Sequence, residues 1–345
     1  MKFKILLIYL LIQNVLYAQS DYNDLFSENI IQFIEDNYSG FDNLYEEDQQ
    51  NYKEFKKELL ADSIQEFSSL VLKTQIYLKY FNNKHLYVLN ESLEARSETK
   101  FNKQKQKNKN TDVEFEILDK DFTCLKIKSF NIKLKPEIDS IISSNQKEIE
   151  RHKYLIIDLR GNGGGDIKSI NRLVSLIQSD YFFKKEYKMY VSSRNSVAFK
   201  AFTEHLTEQD RKKWQSVSIG LQRGEYVSGN ITYPYVFNVP EKKNKYPKYI
   251  GILADKNTGS ASELFLTMAR QNPRVKVFGE NTAGAFDYAM VHCFEILKDK
   301  FYIVMPLLES VNMDKSGIDN YGIQPDFYLY NNHKSQMKEI MRKWK

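Results

Sequence analysis

The chain has 345 residues, 42% of them hydrophobic and 28% charged, with a formal net charge of +5. That length suits one large domain and a smaller one. The Lys and Arg are interspersed with Asp and Glu, so charge gives no concentrated basic face and no nucleic-acid surface.

In chain order, the N-terminus comes first as a targeting segment. Lys2 and Lys4 supply a basic start, Ile5 to Ile12 is an unbroken apolar run, and Ala18 can end a cleavable signal peptide over residues 1–18. The run is short for a membrane span. No Cys stands at the cleavage point. The mature protein is expected to be exported, periplasmic or extracellular, with no integral membrane span after cleavage.

Residues 19–97 read as a small helical domain. Phe26, Ile30 and Ile34 share a helical face, as do Phe55 and Leu59, and then Phe67, Leu70 and Val71. Gly40 marks a break. Asn82, Asn83 and Lys84 punctuate the end of the helices, His85 follows, and Leu86 to Leu89 begins a strand. A polar, basic stretch over 98–112 reads as a solvated linker.

From Val113 the pattern alternates strand and helix. VEFEIL and TCLKIKSF pair around an acidic turn, and Lys135 to Arg151 is helical. Tyr154 to Leu159 (YLIIDL) is a strand buried on both faces. It runs into Arg160, Gly161, Asn162, Gly163, Gly164, Gly165 and Asp166, and then a helix from Ile167 to Ile177. Such a turn exposes backbone N–H groups to an anion, or is simply a tight turn. It is neither a P-loop nor a GxGxxG fingerprint. Residues 182–248 form an irregular insertion, with a strand at EYKMYVSS and helices around Val197 to Trp214.

The strand YIGILA (249–254) leads through a turn into Gly259, Ser260, Ala261, Ser262 and Glu263, where a helix starts. A small serine at that junction serves either as an N-cap or as a nucleophile facing free helix N–H groups. AMVHCFEIL and KFYIVMPLL form a hairpin, GIDNYGIQPDFYL spans 317–329, and residues 331–345 form a C-terminal helix. Cys124 and Cys293 read as two free thiols in strands, with one disulfide as the alternative. The five His show no metal-ligand spacing, so no metal and no cofactor are expected.

YLIIDLRGNGGG, NTGSASELF, VFGENTAGA and DNYGIQPD, in that order, resemble the serine peptidases of the C-terminal processing, or tail-specific, family. The resemblance covers about Val113 to Leu329. It implies an α/β fold, a spiral ββα/βαβ core of the Clp protease/crotonase type over 113–330, beside the N-terminal helical domain. In the lysine-dependent branch a Lys follows the GExTxG motif; here Ala285 stands there, and Ala289 replaces the helper Gln. No PDZ domain fits between His85 and Val113. The resemblance is therefore to the tricorn-core-like subgroup, whose base is an N-terminal His.

Carried onto these residues, the resemblance implies Ser260 as nucleophile, His85 as base and Asp319 as the acid beside Asn320-Tyr321-Gly322. Gly164 and Ala261 supply the oxyanion hole, with Gly163 as the alternative to Gly164. Ser262 is the second candidate nucleophile, and Glu263 supports the helix start. Asp158 and Arg160 are structural around the glycine turn, and Asp287 and Tyr288 are candidates for the cleft. Lys84 stands where the subgroup has a Ser, and Asp319 where it has Glu. The implied function is an exported serine endopeptidase acting on unfolded or tail-exposed peptides. The other class is a non-catalytic ligand- or peptide-binding protein on the same fold.

Overall fold

The computed structural model describes residues 22–90, 112–177, 187–204, 208, 226–228, 247–311, 317–329 and 333–343. The expected signal segment, all but the last residue of the linker and most of the insertion lie outside these residues. Helices α1 (Gln32–Asn37, entered through a π-helical stretch at Leu25–Ile31), α2 (Phe41–Ala61) and α3 (Phe67–Lys79) lead to strand β1 (Tyr87–Leu89). Then come β2 (Val113–Ile117), β3 (Phe122–Ile127), α4 (Lys135–Ser144), α5 (Gln146–Arg151), β4 (Tyr154–Asp158) and α6 (Asn171–Ile177). The insertion contributes β5 (Tyr187–Tyr190), α7 (Ser193–Glu204) and β6 (Tyr226–Ser228). The remainder is β7 (Tyr249–Ala254), α8 (Ala261–Ala269), β8 (Val275–Gly279), β9 (Tyr288–Leu297), β10 (Phe301–Ser310), α9 (Ile318–Tyr321), β11 (Phe327–Tyr328) and α10 (His333–Lys343). Among the described residues no helix is long and apolar enough to cross a membrane.

The chain divides into two compact units. The first joins Met1–Lys103, Tyr187–Ile231 and Tyr288–Val311; the second joins Gln104–Glu186, Thr232–Asp287 and Asn312–Lys345. The sequence reading is of a core over 113–330 with an insertion at 182–248. In this division the hairpin β9–β10 and the described insertion strands group with the N-terminal helices. The reason is strand pairing across long sequence distances. β10 lies antiparallel to β9, and also to β1 (Tyr87 opposite Val304) and β5 (Leu308 opposite Met189).

In the first unit an aromatic core fastens the helices. Tyr38, Phe41, Tyr52 and Tyr77 gather around Phe81, and the Tyr52 and Tyr77 hydroxyls lie 2.9 Å apart. Phe33 packs edge-on to Phe294 of β9, and Phe67 to Phe301 of β10. Such pairs contribute about 0.5–1.5 kcal/mol each beyond their buried area.

The second unit is built on a six-stranded sheet in the order β11-β8-β7-β4-β3-β2. β3, β4, β7, β8 and β11 run parallel, and β2 is an antiparallel edge. All five residues of β4 are buried, as a strand covered on both faces requires. One face carries Phe122, Cys124, Tyr154, Ile156, Leu253 and Phe278, packed with Met337 and Met341 of α10. Gly251 in the middle of β7 is explained by that packing, because a Cβ there would run into the Met337 methyl. Cys124 is buried and Cys293 half-buried, and the two are not joined in a disulfide.

Candidate active site

The parallel strands deliver two turns to the carboxyl end of the sheet. After β7, Asp255 Oδ1 accepts the N–H groups of Asn257 and Gly161, each at 3.0 Å. The Thr258 hydroxyl donates to the carbonyl of Leu159 at 3.0 Å. The turn after β7 is thus tied to the turn after β4, and Ser260 follows at the N-terminus of α8.

Ser260 has φ 54° and ψ −118°. A non-glycine residue held there costs about 1–3 kcal/mol and persists only where its surroundings fix it. The surroundings here are a buried carboxylate and a glycine. Glu263 is fully buried. Its Oε2 accepts the N–H of Ser260 at 2.9 Å and that of Ala285 at 2.8 Å. Its Oε1 accepts the Thr282 hydroxyl at 2.5 Å and the N–H of Gly284 at 2.8 Å.

The glycine turn after β4 is organised by Asn162, which is fully buried. Its Nδ2 donates to the carbonyl of Ile127, and its own carbonyl accepts from Gly259 N–H and from the Ser262 hydroxyl. Ser262 is therefore buried and engaged, whereas Ser260 is partly exposed. Asn162 Oδ1 accepts the N–H of Gly164 at 3.0 Å. Of the expected oxyanion donors, Gly164 thus lies against Ser260 but has its N–H occupied. The N–H groups of Ala261 and Gly163 have no acceptor among the described residues.

Asp319, on α9, accepts the N–H groups of Phe286 and Asp287 on Oδ1, the latter at 2.7 Å. Asp287 returns the bond, its Oδ2 accepting Asp319 N–H at 2.9 Å. Asp319 Oδ2 is buried without a hydrogen-bond partner. Burial pushes the carboxyl up to about 6, and the negative charges of Asp287 and Glu263 add to that against the pull of the two N–H bonds.

His85 lies on the first unit, where the helices hand over to β1. Its N–H donates to Asn83 Oδ1 at 2.7 Å, and Asn83 Nδ2 donates to the Tyr38 hydroxyl at 2.8 Å. The imidazole Nδ1 is buried with no hydrogen-bond partner. Burial alone pulls the ring down to about 4, so it is neutral at pH 7.

Other expected residues fall as follows. Arg160 grips Asp158 through two nitrogens at 2.6 and 2.8 Å. Asp287 is buried on Asp319, and Tyr288, on the first unit, stacks on Tyr38 at 5.7 Å. Asn162 and Thr282 were not singled out from the sequence. The Ser260-x-x-Glu263 spacing does carry a helix-start signal, but nothing local marks Thr282, whose partner is 19 residues away.

Residues 121–329, more than half of the chain, match the model of Peptidase family S41, and the chain belongs to that family of serine peptidases. The matched segment contains the glycine turn, Ser260 and Asp319, and begins after His85. No curated protein matches the chain in sequence. Among solved structures, a lipoprotein from Streptococcus agalactiae is 17% identical with a TM-score of 0.53, covering 94% of this chain and 96% of that one. A protein from Parabacteroides merdae, provisionally described as a peptidase, is 16% identical with a TM-score of 0.52, covering 92% of each chain. These likenesses show the shared α/β fold with its small N-terminal helical region.

Proposed function

We propose that this chain is an exported serine endopeptidase that cuts unfolded or tail-exposed polypeptides through an acyl-enzyme on Ser260. Family membership supports the reaction class. The observation that carries the residue assignment is the backbone of Ser260, held at positive φ at a helix start by a buried carboxylate. Strain of this kind collects at functional sites.

In this reading His85 takes the proton of the Ser260 hydroxyl as its Oγ bonds to the peptide carbonyl carbon. Neutral at pH 7, the imidazole is ready to accept it. Asp319 orients the ring or balances its charge. The carbonyl oxygen, now negative, is held by Ala261 N–H and by a donor from the glycine turn. That donor is Gly163 N–H, or Gly164 N–H once it leaves Asn162. One such donor typically contributes about 2.7–4 kcal/mol to the transition state. His85 then returns the proton to the leaving amine as the C–N bond breaks, and water releases the acyl group. Export is supported by the basic and apolar N-terminal segment, Lys2 to Ala18.

A second reading, a binding protein on the same fold, is favoured by one observation: Gly164 N–H is bonded to Asn162 and not free for an oxyanion. Intact-mass labelling of the mature protein with a fluorophosphonate decides between them. A single adduct on wild type, lost in Ser260→Ala and His85→Ala, supports the peptidase. Loss only in Ser260→Ala keeps the nucleophile and removes His85. A folded wild type that takes no adduct supports the binding protein.

A further inference from the structure

The backbone N–H groups of residues 284 to 287 are consumed in order by two carboxylates, the fully buried Glu263 and the half-buried Asp319. Gly284 and Ala285 donate to Glu263, and Phe286 and Asp287 donate to Asp319. Glu263 also holds Ser260 N–H and the Thr282 hydroxyl. A continuous line of hydrogen bonds therefore runs from Ser260 through Glu263 and the 284–287 backbone to Asp319, all inside the second unit. Ser260 and Asp319 stand 59 positions apart in the sequence, reading 319 against 260.

We propose that Glu263 is a positioning residue, which holds the turn carrying Ser260 and the backbone clasped by Asp319 in one register. The chemistry of the side chain is what suits it to this. A carboxylate is purely an acceptor, and here each oxygen takes two donors. A glutamine of the same shape offers one acceptor oxygen, and its NH₂ must face two donors. An aspartate is one methylene too short to reach both strings of donors. Without Glu263 the serine turn loses the acceptor that holds its own N–H, and nothing else described ties that N–H down. The 282–285 segment loses its anchor at the same time, so Asp319 shifts relative to Ser260. A misplacement of about 1 Å in a catalytic arrangement costs roughly 100-fold.

The inference rests on Ser260 being the nucleophile, and the wild-type control reports on that separately. The experiment measures fluorophosphonate labelling rates, kcat and KM on a peptide substrate, and thermal unfolding, for wild type, Glu263→Gln, Thr282→Val and Thr282→Ser. Glu263→Gln is expected to be labelled at Ser260 about 100-fold more slowly, with kcat reduced and KM little changed. Thr282→Val, which removes one of the four donors, is expected to lose about tenfold, and Thr282→Ser to restore the wild-type rate. A folded Glu263→Gln that reacts at the wild-type rate overturns the proposal, even with a lowered melting temperature. If Glu263→Gln does not fold, the threonine pair decides: equal rates for Thr282→Val and Thr282→Ser overturn it. A wild type that takes no adduct removes the nucleophile, and the proposal with it.

Discussion

Gly164 and Ser260 are packed so closely that a Cβ on the glycine would stand 2.7 Å from the Cβ of the serine. It would also lie 2.7 Å from the carbonyl oxygen of Gly259 and 2.9 Å from Ala261 N. Gly164 itself has φ +98°, where only glycine rests without strain. Gly164→Ala is therefore expected to push the glycine turn and the serine turn apart. The expected cost is about 1–3 kcal/mol of stability and most of the labelling of Ser260. Denaturant unfolding and labelling rates check both. A variant that keeps wild-type stability would mean that the two turns part easily.

The strain at Ser260 makes a prediction of opposite sign. Ser260→Gly removes the side chain that makes φ 54° unfavourable. Glycine also serves as an N-cap with little loss. Some of the relief is offset by the larger entropy glycine gives the unfolded chain. The net expectation is a fold at least as stable as wild type, by up to about 1 kcal/mol, with no labelling at all. A clear destabilisation would show that the Ser260 side chain contributes packing that outweighs its backbone strain.

Much of the second unit was legible in the sequence, for physical reasons. A strand buried on both faces is an apolar run, so YLIIDL and YIGILA announce themselves. A sharp strand-to-helix turn needs glycine, so 161–165 and 259 stand out. The halves of the site that came from side-chain reach were not legible. Nothing local says that Asn162 turns its amide back onto Gly164, or that one carboxylate gathers donors from residues 260, 282, 284 and 285. The grouping of β9 and β10 with the N-terminal helices was equally hidden. It depends on Tyr87 finding Val304 across more than 200 residues, and strand partners that distant leave no periodicity behind. The turn before His85 was legible, because Asn82-Asn83-Lys84 punctuates any helix.

His85 predicts a pH effect on stability as well as on rate. Its pKa falls from 6.5 to about 4 on folding, so between these values the unfolded chain binds more protons. Stability from this residue is fully present above pH 6.5 and is lost as pH falls through 4. The size is on the order of 3 kcal/mol. His85→Gln should remove that slope and, on the proposed mechanism, lower the labelling rate by about 10²–10⁴-fold. Unfolding curves for the two proteins between pH 4 and 7 provide the check. Parallel pH profiles would mean that the ring is not desolvated in solution.

Asp319 works in the opposite direction. Its folded pKa of about 6 lies above the ordinary 3.8. The contribution of the protonated acid is fully present below pH 3.8 and is lost as pH rises through 6. Asp319→Asn keeps an oxygen for the N–H groups of Phe286 and Asp287 and removes a charge that Asp287 and Glu263 oppose. The variant should therefore be more stable than wild type above pH 6, on the order of 3 kcal/mol. That advantage should shrink steadily between pH 6 and 4. The same charge is what the proposed mechanism uses beside His85, so the more stable variant should be the slower enzyme, and wild-type activity should rise through about pH 6. Denaturant melts at pH 4 and pH 8, with labelling rates on the same samples, test both halves. An advantage of equal size at the two pH values would show that shape, not charge, is what Asn relieves. A fully active Asp319→Asn would take the acid out of the mechanism.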